Sequence, residues 1–202
     1  MRRASARRHT KETSITVRLN LEGRGKADVS TGVPFLDHMV TLLATHGLFD
    51  LTVRATGDLA VDLHHTNEDV GLVVGQAFDQ ALGNRAGIQR IGFAYVPMEE
   101  ALARVVLDFS GRPKLVVRDG RPPQVVKCPP GSRGVYQWGD AEHFLESLAR
   151  AGRLTLHVEI LTGRDFHHTC EAVFKALGRA LHAATRRDPR VKGIPSSKGR
   201  LS

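Results

Sequence analysis

Apolar residues recur at helical spacing from Pro34 onward, where Phe35, Met39, Leu42 and Leu43 form one stripe and Gly47 offers a stop. The next stretch, FDLTVRA, changes to a period of two, placing Leu51, Val53 and Ala55 on one face of a strand. The same plan returns downstream. DAEHFLESLARAG reads as a helix ending at Gly152, and Leu154, Leu156, Val158 and Ile160 alternate along the strand that follows. Strand patterns also precede each helix: SITVRLNL and KADVS in the first half, ALARVVLDF and KLVVR in the second. A longer helical stretch closes each half, EDVGLVVGQAFDQAL and EAVFKALGRALHAAT.

The halves are in register. His38 and His143, Gly47 and Gly152, and Val53 and Val158 are each 105 positions apart. His64 and His167, His65 and His168, and Glu68 and Glu171 are each 103 apart, so one loop differs by two residues. Each half reads strand, strand, helix, strand, with room for a short further strand, then helix. Two copies are too few for a solenoid. The expected fold is α+β: two pseudo-symmetric repeats, each a small, mostly antiparallel sheet packed against two helices. The expected boundaries are a basic disordered tail over 1–9, a first repeat over 10–92, a second over 93–188 and a C-terminal tail over 189–202. The repeats meet near RIGFAYVP without a flexible linker, and DGRPPQVVKCPPGSRG (119–134) reads as a proline- and glycine-rich loop.

Composition narrows the class. At 41% hydrophobic and 25% charged residues, the 202-residue chain suits a folded body with a proper core. No apolar run approaches the roughly 20 residues needed to span a bilayer, so no membrane partner is expected. The arginine-rich start lacks the apolar stretch of a secretory signal. Two cysteines, Cys128 and Cys170, cannot build a disulfide framework, which makes a cytoplasmic location the default. The net charge of +8 suits nucleic acid or a small phosphorylated substrate equally. Aromatic content of 5% and dispersed arginines speak against a nucleic-acid surface, which would interleave the two.

The chemistry resides in a duplicated cassette, D-x-H-H-T-x-E-x-V, which appears as DLHHTNEDV (62–70) and DFHHTCEAV (165–173). On a helix beginning near His64, His64 and Glu68 stand at i,i+4 and share a face. His65 lies about 100° further round the axis. Adjacent imidazoles that diverge in this way serve two ions, or two subunits, better than one ion. Imidazole with carboxylate suits divalent manganese, iron, cobalt or zinc, and no Cys-x-x-Cys pair points to a thiolate zinc site. The metal inventory is His38, His64, His65, Glu68, His143, His167, His168 and Glu171, which divides into two sites of three histidines and one glutamate. Which histidine serves which ion stays open at this point.

Those cassettes, together with GVPFLDHM, HGLFDLTVRATGD, DFSGRP and GIPSSKG, resemble the imidazoleglycerol-phosphate dehydratase family of histidine biosynthesis over roughly residues 10–202. The resemblance implies removal of water from D-erythro-imidazoleglycerol phosphate to give imidazoleacetol phosphate. It further implies two Mn2+ ions per active site and a homo-oligomer, a hollow 24-subunit particle assembled with the help of metal at subunit contacts. The proton to be removed sits on carbon without a neighbouring carbonyl. Two cations gripping the ring as imidazolate would supply the missing electron sink. By the same resemblance Glu12 is the general base that takes this proton, and His46, in a substrate-lining segment that starts at His38, is a second catalytic candidate that would relay protons or simply pack. Arg90, Arg112, Ser196, Ser197 and Lys198 occupy phosphate-contacting positions, the arginines offering a rigid fork of donors. Asp37 and Asp69 stand next to ligand residues, where they would orient imidazoles or simply cap helices.

One departure stands out: after the arginine-containing turn the family usually carries Gly-Asp, and this chain has Gly92-Phe93. The change bears on a loop contact and on the orientation of Arg90, not on a metal ligand. Nothing in the sequence suggests fusion to the phosphatase sometimes joined to this enzyme. The main rival reading is a two-metal phosphoesterase or nuclease, which would use more bridging aspartates than are seen here.

Overall fold

The computed structural model describes residues 2–119 and 136–201, so the expected proline-rich loop falls almost wholly outside the described residues. Four strands, β1 (Arg3–His9), β2 (Thr13–Asn20), β3 (Ala27–Ser30) and β4 (Asp50–Gly57), form one sheet in the order β1-β2-β4-β3. Their counterparts β5 (Ile91–Met98), β6 (Ala101–Asp108), β7 (Lys114–Asp119) and β8 (Thr155–Thr162) form a second sheet in the order β5-β6-β8-β7. Helix α1 (Pro34–Gly47) links β3 to β4, and α3 (Trp138–Gly152) links β7 to β8. A helical crossover returns the chain in its original direction. Hence β3 and β7 are the parallel strands of otherwise antiparallel sheets. Helices α2 (His64–Leu82) and α4 (Phe166–Thr185) close the two halves. The α+β duplication read from the sequence is therefore the fold of the chain.

Alternation on the strands decides which face meets the helices. Ile15, Val17, Leu51 and Val53 of the first sheet, and Val105, Leu107, Leu156 and Val158 of the second, are buried against the helical layer. The helices lie between the sheets and pair across the repeats: α1 packs on α4, and α2 on α3. Both crossings depend on glycine. A Cβ on Gly178 would lie 2.4 Å from the Leu43 carbonyl oxygen, and one on Gly75 would lie 2.5 Å from that of Leu148. Backbone thus approaches backbone at each crossing. Gly47, expected as a helix stop, is the last helical residue, and the left-handed turn after it belongs to Leu48 (φ 57°). Gly47 is small for another reason: a Cβ there would meet the Phe49 ring at 2.4 Å.

Two expectations need correction. Residues Arg3–His9, expected within a disordered tail, form the edge strand β1, paired along its length with β2. Its inward side is short and satisfied: Ala6 is buried, Arg8 meets Asp69, and Arg2 meets Glu22 and the Thr185 carbonyl. Arg3, Ser5 and Arg7 face solvent, so the charge run is compatible with a strand. Likewise, RIGFAYVP, read only as the place where the repeats meet, is an element of its own, strand β5, which starts the second sheet at Ile91. The optional strand before α2 is a turn.

Candidate metal centre and active site

The cross-repeat helix pairs assemble two trios of ligands. His38 projects from α1 toward α4, where the Nε2 atoms of His38 and His167 lie 3.0 and 2.9 Å from Glu171 Oε1. The second trio joins α2 to α3: Nε2 of His64 and His143 lie 3.8 and 3.6 Å from Glu68 Oε2. In each trio the potential ligand atoms are within 4.8 Å of one another. Ligand bonds of about 2.1 Å require neighbouring donors about 3.0 Å apart in octahedral and about 3.4 Å apart in tetrahedral geometry. Both trios are close to that spacing without rearrangement, and the imidazole–carboxylate donor set suits a divalent first-row metal.

His65 and His168 do not join the trio of their own helix. One step along the sequence turns each imidazole about 100° away. His65 Nδ1 stands 3.0 Å from Asp58 Oδ2 and 3.9 Å from Glu12 Oε2. His168 Nδ1 stands 2.8 Å from Glu100 Oε2. The eight ligands inferred from sequence are therefore gathered as two trios plus two outlying histidines, rather than as two complete sets of four.

The carboxylates are held by surrounding donors. Burial alone would raise the Glu171 pKa, but hydrogen bonds from Lys175, His38 and His167 outweigh it and bring the group down to about 2. Lys175 Nζ sits 2.5 Å from the second Glu171 oxygen. Glu68 has an equivalent cation, with Arg150 Nη2 2.8 Å from Oε1. Glu100 is brought to about 2 by hydrogen bonds from the Asp165 N–H, the His168 ring and the Arg164 N–H. His46, half-buried in the last turn of α1, is shifted down by burial and by the Lys175 and Arg179 charges, which favours its neutral form.

Phosphate candidates gather at one end of the second sheet. Arg90, whose backbone is left-handed (φ 70°), donates through Nε and Nη2 to Asp108 at 2.6 and 2.8 Å. Its Nη1 donates to the Pro195 carbonyl at 2.8 Å, which anchors the tail carrying Ser196, Ser197 and Lys198. The bidentate pair with Asp108 orients Arg90 without any carboxylate at position 93. Phe93 is instead 66% exposed and borders a groove shared with His46, Gln89, Arg179 and Arg186. The Arg112 backbone is held beside Ser110 and Thr155 at the end of β6. Asp37 and Asp69 do not touch imidazoles. Asp37 Oδ1 accepts from the Thr31 N–H and hydroxyl at the start of α1. Asp69 is buried, accepting from Arg8 at 2.6 Å and from the Thr13 hydroxyl at 2.5 Å. Cys170 is a buried thiol with its pKa pushed up by burial, as suits a packing residue.

The family model described as imidazoleglycerol-phosphate dehydratase matches residues 31–181. The chain belongs to the imidazoleglycerol-phosphate dehydratase family. Among relatives carrying that name, the protein of Chloroflexus aggregans is 55% identical over 202 residues, covering 99% of this chain and 95% of the relative. That of Corynebacterium urealyticum is 53% identical over 196 residues, covering 97% and 95%. A crystal structure of the Pyrococcus furiosus dehydratase in complex with (S)-C348 superposes with a TM-score of 0.79 at 35% identity, over 96% of this chain and 99% of that one. The Staphylococcus aureus dehydratase gives a TM-score of 0.76 at 32% identity, over 92% and 100%.

In this dehydratase-family chain, sequence reasoning had passed over Asp58, Glu100, Arg150 and Lys175. Lys175 and Arg150 carried a detectable signal. Lys175 lies one helical turn beyond Glu171, and Arg150 lies two turns beyond His143 on the same helix.

Proposed function

We propose that the chain is a hydro-lyase that converts D-erythro-imidazoleglycerol phosphate to imidazoleacetol phosphate and water in histidine biosynthesis. The observation that carries the mechanism is the pair of preassembled His/His/Glu trios, each accompanied by a histidine turned away from it. In this reading His38, His167 and Glu171 hold one Mn2+, and His64, Glu68 and His143 hold a second. His65 and His168 reach the ions of other copies of the chain, so the active enzyme is a homo-oligomer, assembled as the 24-subunit particle expected from the family resemblance. Bound there, two Lewis-acidic cations would hold the azole ring as imidazolate, whose electrons help expel the hydroxyl from the carbon attached to the ring.

The remaining steps fall to side chains. Glu12, exposed on the turn before β2 and within 3.9 Å of His65 Nδ1, takes the carbon-bound proton. The hydroxyl on the neighbouring carbon leaves, the proton taken by Glu12 completes it to water, and the resulting enol settles as the ketone. Neutral His46 lines the path to the substrate. Arg90, Arg112, Ser196, Ser197 and Lys198 grip the phosphate, with the tail drawn toward Arg90 through Pro195. None of these steps needs nucleic acid or a membrane, and no helix of the described residues is long and apolar enough to cross one. A cytoplasmic location accords with the small number of cysteines, although a pea relative is named as chloroplastic.

The test is metal analysis of the purified protein, followed by an assay for imidazoleacetol phosphate with and without chelator. Expected are two ions per chain, loss of turnover on chelation and restoration by Mn2+. His65→Ala and His168→Ala should each lose tight metal retention and turnover. Release of inorganic phosphate in place of a phosphorylated ketone would favour the phosphoesterase reading. Unchanged turnover by a metal-stripped protein would refute the scheme.

A further inference from the structure

Before the proline-rich segment the two repeats are offset by 88 positions, not 105: Val17 pairs with Val53 as Val105 pairs with Val158. At this offset Glu12, on the turn between β1 and β2, corresponds to Glu100, on the turn between β5 and β6. One duplicated glutamate thus lies beside each of the duplicated histidines His65 and His168. Their surroundings differ. Glu100 is fixed by three donors: the N–H groups of Arg164 and Asp165 at 3.1 and 2.8 Å, and His168 Nδ1 at 2.8 Å. Glu12 stands 3.9 Å from His65, because Asp58 already occupies the Nδ1 position at 3.0 Å. The other Asp58 oxygen, Oδ1, is buried and has no hydrogen-bond partner, so the contact with His65 is what holds this carboxylate in place. The second repeat has no counterpart to Asp58: Gly57 and Gly163 abut the equivalent Thr66 and Thr169, and the residue after Gly163 is Arg164.

We propose that the duplicated glutamates have divided their labour: Glu100 is a positioning residue that presents His168, and Asp58 does the same for His65, which leaves Glu12 free for the substrate. A carboxylate that accepts from Nδ1–H fixes the imidazole tautomer and aims the Nε2 lone pair outward, as a ligand to an ion held by another copy requires. The inference rests on the metal and base assignments proposed above, and goes beyond them by naming what sets the direction of the two outlying histidines.

The two positioning residues should fail in different ways, measured on the assembled, Mn2+-loaded enzyme. Glu100→Ala should weaken retention of one ion per chain by about 10–100-fold in chelator competition. Its kcat should recover at saturating Mn2+, because Glu12 is untouched. Glu100→Gln, whose single oxygen can accept from Nδ1–H only by releasing the Arg164 and Asp165 N–H groups, should restore part of that retention and guards against a merely folding-related loss. Asp58→Ala should depress kcat even at saturating Mn2+, since Glu12 would close on the vacated Nδ1. Wild-type retention of both ions in Glu100→Ala, or full kcat in Asp58→Ala at saturating Mn2+, would overturn the proposal. If the metal reading itself were wrong, His168→Ala would also leave metal retention unchanged, which separates the two failures.

Discussion

Gly178 gives a direct test of how helix packing sets the ligand geometry. A Cβ there would sit 2.4 Å from the Leu43 carbonyl oxygen and 3.0 Å from the Gly47 nitrogen, both backbone atoms. Ordinary carbon–oxygen contact needs a little over 3 Å, so α4 must retreat from α1 by somewhat under 1 Å. Overpacking of this kind costs about 1–3 kcal/mol, and Ala in place of a helical Gly returns about 1 kcal/mol. The net expectation for Gly178→Ala is a loss of up to about 2 kcal/mol. For a chain of this length that lowers Tm by about 2–4 °C per kcal/mol. The consequence for the site should be selective. His38 is on α1 while His167 and Glu171 are on α4, so this trio should bind its ion more weakly while the His64/Glu68/His143 trio keeps its own. Gly75→Ala, whose Cβ would lie 2.5 Å from the Leu148 carbonyl, should do the reverse. Calorimetry of the metal-free protein and metal titration of each variant measure both effects. Wild-type stability together with unchanged affinity at both sites would show that the close crossings do not set the ligand spacing.

Other substitutions probe separate links. Glu12→Gln should lower kcat by at least about 100-fold while leaving metal content intact, and unaltered kcat would remove Glu12 as the base. Arg85 is buried, pairs with the half-buried Asp79 and donates to the carbonyls of Phe109, Gly152 and Arg153. Arg85→Ala strips all of these at once and, because Asp79 keeps access to water, the lost donors to buried carbonyls should dominate at about 1–3 kcal/mol in denaturant unfolding; a loss under 1 kcal/mol would contradict the burial argument. Thr13→Val removes one of the two donors to buried Asp69 and should destabilise by about 1–3 kcal/mol, with Thr13→Ser restoring the loss in the same unfolding assay.

The duplication was legible because its most distinctive residues, the His-His-Thr cassettes and the helix-ending glycines, repeat at nearly one spacing, 103 and 105 positions, across the proline-rich segment. The same feature hid Glu100. Subtracting 105 or 103 finds nothing at Glu12, since upstream the spacing is 88. Strand β1 escaped notice because its buried side chain is only an alanine, and edge pairing satisfies its backbone whatever the arginines do. Strand β5 escaped because Ile91, Phe93 and Tyr95 point to solvent, opposite to what the apolar pattern leads one to expect. The metal ligands could be named from sequence, but not their grouping. That depends on α1 meeting α4 and α2 meeting α3, a choice fixed by backbone contact at glycines rather than by periodicity. Asp69 likewise reads as a neighbour of a ligand in sequence, yet its carboxylate is taken by Arg8 and Thr13 rather than by an imidazole.

Because α1 pairs with α4 and α2 with α3, neither repeat alone contains a complete trio. Cut between α2 and β5, the chain would yield two fragments, each holding fragments of both chelating groups and the whole of neither. Tight uptake of metal would then appear only when the pieces found each other, so the ions would report on reunion of the halves. A single unfused repeat could reach the same arrangement by pairing with its twin about a two-fold axis, a symmetry that survives within this one polypeptide.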